Sequence, residues 1–114
     1  MNRLFAGTNA FNYKQVGCTN DYGTEIYRGQ STMGGTLIGT IDPPYVFRVN
    51  GREKIKIGRY SQEKVYRLSN GSEELIGSYD SRQNVYKGYG SNRQQIGYYE
   101  GRASGAAALL LLFN

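Results

Sequence analysis

Residues 65–77 read Val65-Tyr66-Arg67-Leu68-Ser69-Asn70-Gly71-Ser72-Glu73-Glu74-Leu75-Ile76-Gly77. An Asn-Gly pair between two strand-like runs is a strong hairpin signal, because both central residues of a type I′ turn need positive φ. With Asn70-Gly71 in a two-residue turn, Leu68 opposes Glu73, Arg67 opposes Glu74, Tyr66 opposes Leu75 and Val65 opposes Ile76. Period-two alternation then puts Val65, Arg67, Glu74, Ile76 and Ser78 on one face, and Tyr66, Leu68, Leu75, Gly77 and Tyr79 on the other.

The two ends of this stretch recur along the chain. An aliphatic residue, an aromatic and a basic residue appear as Ile26-Tyr27-Arg28, Val46-Phe47-Arg48, Val65-Tyr66-Arg67 and Val85-Tyr86-Lys87. Each is followed 11 or 12 positions later by Ile38-Gly39, Ile57-Gly58, Ile76-Gly77 or Ile96-Gly97, and the units repeat every 19 or 20 residues. The same template finds Leu4-Phe5-Ala6 and Val16-Gly17 upstream, with Ala6 in the basic position. Turn formers lie inside the units: Asn50-Gly51, Gly90-Ser91 and Ser31-Thr32-Met33-Gly34-Gly35. Asn50-Gly51 sits one position closer to its aliphatic residue than Asn70-Gly71 does, and a longer loop there would restore the common pairing. The expectation is one all-β domain over 1–114, with hairpin repeats at about 4–17, 26–39, 46–58, 65–77 and 85–97.

Composition agrees. The 114 residues include 16 glycines and 11 tyrosines but only 2 prolines, which suits short strands and turns. There is no histidine or tryptophan and one cysteine, Cys18, so an intrachain disulfide is excluded and a zinc site lacks its usual ligands. Neither a cofactor nor a catalytic residue is expected. Among the nine carboxylates, Glu73 and Glu74 are adjacent and so fall on opposite strand faces, while Asp42, Asp80 and Glu100 precede the next hairpin, where they serve turns. Cys18 reads as structural. The start lacks the apolar run of a secretory signal, which points to the cytoplasm, and no segment is long enough to be transmembrane.

A lone hairpin cannot bury its apolar face, so the hairpins must pack on one another. Closure around a pseudo-fivefold axis leaves no unpaired strand edge, and nothing in the chain resembles a polar cap for an open row. Tyr27, Phe47, Tyr66 and Tyr86 recur with Gly39, Gly58, Gly77 and Gly97, so each aromatic is expected to lie over a glycine, with Tyr60, Tyr79 and Tyr99 extending the stack. The apolar tail, 106–113, is hydrophobic all round. As a helix of about 12 Å it would plug the ring. A buried closing strand and a contact for self-association are the alternatives.

Aliphatic-Tyr-Arg/Lys followed by Ile-Gly in five hairpins, with a Gly-Ala-Ala-Ala-Leu-Leu-Leu-Leu ending, resembles the bacterial β-flower proteins in their fivefold form. The resemblance covers nearly all of 4–113 and implies petals around an axis with no assigned activity. MORN repeats have a similar length but need a Tyr-Glu-Gly-Glu-Trp type motif, and choline-binding repeats need tryptophan cages; both are missing.

The formal net charge of +5 is concentrated. Residues 45–67 hold seven cations against two carboxylates, and the rest of the chain is neutral. Two candidate sites follow. One is a basic patch of Arg52, Lys54, Lys56, Arg59 and Lys64, suited to a polyanion. The other is an anion-binding rim of Arg28, Arg48, Arg67 and Lys87, which occupy one place in four units; across the turn only Arg67 finds an acid, Glu74, the others facing Thr36, Ile55 and Gln94. The function expected is a non-catalytic β-repeat module acting by binding or assembly. An anion- or nucleic-acid-binding protein is the alternative, and a cryptic enzyme the third reading.

Overall fold

The computed structural model describes residues 1–8, 11–88 and 90–113; Asn9, Ala10 and Tyr89, inside the expected first and fifth repeats, lie outside the described residues, as does Asn114. The strands are β1 (Asn2–Ala6), β2 (Lys14–Thr19), β3 (Glu25–Arg28), β4 (Thr36–Asp42), β5 (Tyr45–Asn50), β6 (Glu53–Ser61), β7 (Lys64–Ser69), β8 (Ser72–Tyr79), β9 (Asn84–Lys87) and β10 (Gln94–Tyr99), followed by helix α1 (Gly105–Leu111). Each strand is antiparallel to its neighbours in sequence, and β10 pairs with β1 through Leu4–Tyr99 and Ala6–Gly97, so the sheet closes into a ten-stranded barrel. Closure pairs every edge strand. The molecule is a disc of 39 × 38 × 20 Å. No helix is long and apolar enough to cross a membrane among the described residues.

The β7–β8 hairpin turns on Asn70 (φ 49°) and Gly71 (φ 82°), both left-handed as the Asn-Gly signal requires. Leu68–Glu73, Arg67–Glu74 and Tyr66–Leu75 pair as expected, but Val65 opposes Gly77 and not Ile76. Ile76 is the extra residue of a β-bulge. The same shift matches Leu4 with Gly17, Ile26 with Gly39, Val46 with Gly58 and Val85 with Gly97, leaving Val16, Ile38, Ile57 and Ile96 as the extra residues. A bulge bends and twists its strand, which a small barrel needs in order to close. It also resets the alternation, so that Gly77 and Tyr79 share a face with Val65. The β5–β6 turn is likewise corrected: Asn50 pairs with Glu53 and the turn is Gly51-Arg52, so the common pairing is kept without a longer loop.

Leu4, Ile26, Val46, Val65 and Val85 are fully buried and pack with α1, whose residues are all buried. Ser104 caps the helix, its Oγ accepting from the Ala107 N–H at 3.1 Å. The tail is therefore a helix over Gly105–Leu111, with Leu109, Leu110 and Leu111 buried and Leu112 and Phe113 half-buried. Its side chains cover the repeat glycines: Leu112 lies on Gly17, Leu111 on Gly39, Leu110 on Gly58, Leu109 on Gly77 and Phe113 on Gly97.

That arrangement overturns the expected aromatic cover of the glycines. With the register shifted by the bulge, Tyr27, Phe47, Tyr66 and Tyr86 project from the opposite face, where several rings carry cations: Lys54 Nζ is 4.6 Å from the Phe47 ring centre and Arg93 Cζ 4.0 Å from that of Tyr86.

Tyr60, Tyr79 and Tyr99 do lie on the glycine face. They form an edge-to-face series, with centroids 6.3 Å apart at each step, beside Gly105 at the start of α1. Burial pushes the Tyr99 hydroxyl up to about 12 and also raises those of Tyr60 and Tyr79. An unfolded tyrosine ionises near ~10, so stability is full below that pH and is lost as pH rises through about 12. Absorbance at 295 nm should show part of the tyrosine set ionising only as the fold melts. Ionisation of every tyrosine near ~10 with the far-ultraviolet spectrum unchanged would contradict this.

Candidate anion-binding mouth

The bulges that bring the glycines to the helix also fix where the basic residues stand. Arg28 opposes Gly17, Arg48 opposes Gly39, Arg67 opposes Gly58 and Lys87 opposes Gly77, each across the junction with the preceding hairpin. Each cation therefore rises beside a glycine whose empty side-chain space is taken by a tail residue. The result is a series of grooves between hairpins, at the end of the barrel where α1 terminates.

Three of these grooves follow one another. The first is flanked by Arg28 and Arg48, with Leu111 on its floor and Ile38 on its wall, and holds about 270 Å³. The second lies between Arg48 and Arg67 over Leu110 and Ile57, and holds about 330 Å³. The third lies between Arg67 and Lys87 over Leu109 and Phe113, and holds about 640 Å³. The four rim residues expected from sequence thus line these neighbouring grooves in succession, Arg48 and Arg67 each shared by two of them.

Their cross-strand partners are Thr36, Ile55, Glu74 and Gln94, as the hairpin spacing implied. Glu74 opposes Arg67 but forms no ion pair with it. The ion pairs among the described residues are the N-terminal amine with Asp21, Arg3 with Glu100, and Arg59 with Glu73. None neutralises the mouth. The C-terminal end of α1 presents its carbonyls at the same end, and that partial negative charge offsets some of the repulsion between the cations.

Lys14 was missed. In the first hairpin Ala6 takes the basic position, and its register partner is Lys14. Lys14 therefore stands where Thr36, Ile55, Glu74 and Gln94 stand in the other hairpins. The cation has changed strands within the pair while keeping its level. The signal was present in the sequence: the spacing that sets Arg67 opposite Glu74 also sets Ala6 opposite Lys14, and the bulge at Val16, farther from the turn, leaves that pair unchanged.

The basic patch does not converge in the same way. Lys54 lies over Phe47, Lys56 is 3.9 Å from the centre of the Tyr45 ring, and Arg59 is 4.2 Å from that of Tyr66. Arg59 also donates to both carboxylate oxygens of Glu73 at 2.6 and 2.7 Å. That hydrogen bonding holds the Glu73 carboxyl below its usual range and raises Arg59. Arg52 stands in the β5–β6 turn and Lys64 at the start of β7, both exposed.

The remaining candidates have structural surroundings. Burial works to raise the Asp80 carboxyl, but hydrogen bonds from the Tyr86 hydroxyl and the Asn84 and Arg82 amides hold it below its usual range. Asp80 thus closes the turn before β9. Glu100 binds the Arg3 guanidinium, and Asp42 ends β4 as an exposed residue. Cys18 is fully buried, and burial pushes its thiol up, away from the reactive thiolate. No group of three or more metal-ligating side chains occurs among the described residues.

No protein-family model, curated protein or solved structure matches this chain.

Proposed function

We propose that this chain is a non-catalytic binding module of the fivefold β-flower kind, with hairpins set around an axis, a helix plugging the centre, and a cationic mouth that holds an anionic group. The repeat reading draws support from the five aliphatic–glycine pairs, each with its bulge, and the plug reading from the five tail side chains on the five repeat glycines.

One observation carries the binding reading. Lys14, Arg28, Arg48, Arg67 and Lys87 share one level of the strand register, and among the described residues the one acidic side chain on that level is Glu74. Like charges held close repel, and an anion placed among them relieves that repulsion. Arginine forks give such an anion paired, directional hydrogen bonds. The leucine floors keep water from one side of the site, which strengthens the charge interaction. A polyanion on the outer face would meet cations already laid over rings and, at Arg59, already paired.

Titration with inorganic phosphate at low salt tests this. The native chain should bind in a salt-sensitive way, and changing Arg28, Arg48, Arg67 and Lys87 together to Gln should weaken binding at least about tenfold, roughly the loss of one charge-assisted contact. Changing Lys54 and Lys56 to Gln should leave it unaltered. Equal binding by the fourfold variant and the native chain would rule the mouth out.

A further inference from the structure

The three grooves differ in size for a reason visible in the hairpins that wall them. Between Arg48 and Arg67, the long β7–β8 hairpin brings Leu68 and Ser69 against the opening. Beyond Arg67 the described residues of the next hairpin that line the opening are Lys87, Gly88 and Ile96, because β9 ends at Lys87. The groove is left wide, at about 640 Å³, and its floor is extended: Ile76 and Ile96, the bulge residues of two adjacent hairpins, flank Leu109 and Phe113. Ile76, Ile96 and Phe113 are each only partly buried.

A small inorganic anion uses the two cations and leaves this apolar floor wetted. The space is within the range of pockets that enclose a whole small organic ligand. We infer that the groove between the β7–β8 and β9–β10 hairpins takes a monomeric anionic amphiphile, an alkyl carboxylate whose head lies between Arg67 and Lys87 and whose chain lies on Ile76, Ile96, Leu109 and Phe113. This rests on the anion-binding reading of the mouth and adds the class of ligand. Glu74 lines the same groove and works against an anionic head. Its removal should therefore tighten binding, an effect that a merely greasy surface would not show.

The test is calorimetric titration of the full chain, at concentrations below aggregation of the ligand, with decanoate, acetate, decyltrimethylammonium and inorganic phosphate. Decanoate should bind at least tenfold more tightly than acetate, and decyltrimethylammonium far more weakly than decanoate. Arg67→Gln with Lys87→Gln should cost decanoate at least tenfold, Glu74→Gln should improve it severalfold, and methyl resonances of Ile76, Ile96 and Leu109 should move ahead of Leu111. Equal affinity for decanoate and acetate, with phosphate still bound, would overturn the amphiphile and leave the anion reading standing. Equal affinity for the decyl anion and the decyl cation, or binding to vesicles but not to monomeric decanoate, would also overturn it. Loss of phosphate and decanoate binding alike would remove both readings.

Discussion

Deleting residues 106–114 is expected to give a chain that does not fold cooperatively. Leu109, Leu110 and Leu111 are 3%, 2% and 6% exposed, and burying a leucine contributes about 1.5–3 kcal/mol. Three of them amount to about 4.5–9 kcal/mol, comparable with the roughly 5–15 kcal/mol that holds a typical domain together. The alanines add more, and the ring of Leu4, Ile26, Val46, Val65 and Val85 would be opened to water. Circular dichroism and thermal melting of the truncated chain check this; a cooperative melt at the parent temperature would show the helix to be dispensable. Leu110→Ala, a milder change, should cost about 2–5 kcal/mol, as buried leucine truncations do.

The second large effect is expected at the repeat glycines. A methyl group at Gly58 would overlap the Leu110 Cδ1 atom and come within 2.7 Å of the Tyr66 carbonyl oxygen. Leucine can rotate away; the strand carbonyl cannot. Gly58→Ala should therefore destabilise by about 1–3 kcal/mol, as overpacking does, and Gly58→Val by more. Leu110→Ala removes one of the two obstacles, so the double variant should be less destabilised than the two single changes together. A coupling of about 0.5–3 kcal/mol is ordinary for residues in contact. Denaturant unfolding of the four chains measures it, and strict additivity would mean that the helix does not rest on this glycine. Gly71→Ala is the contrasting case: its Cβ would meet nothing within 4 Å, so only the strain of φ 82° remains.

Both experiments probe one device. Consecutive tail residues, Leu109 to Leu112, meet glycines of successive hairpins in reverse chain order, from Gly77 to Gly17, and Phe113 then reaches Gly97. A helix advances about 100° per residue, so consecutive side chains fan out around its axis. This explains a sequence that looks like a featureless leucine run: each position has its own glycine to cover. It also places the helix end, and with it the floors of the grooves, at the level of the cations.

The sequence by itself determined the paired strands, the Asn70-Gly71 turn and most of the pairing, because Asn-Gly, the recurring aliphatic-aromatic-basic triplet and the Ile-Gly pair are local signals with local causes. Arg28, Arg48, Arg67 and Lys87 could be assigned to one level from spacing alone, as could the partners Thr36, Ile55, Glu74 and Gln94. Only the tertiary structure decided which face held the glycines. One extra residue in a strand reverses its alternation, and whether Ile76 bulges or pairs depends on the curvature that barrel closure demands, not on its neighbours in the chain. Hence the expected aromatic cover of the glycines gave way to the tail, whose side chains only the folded chain brings onto them.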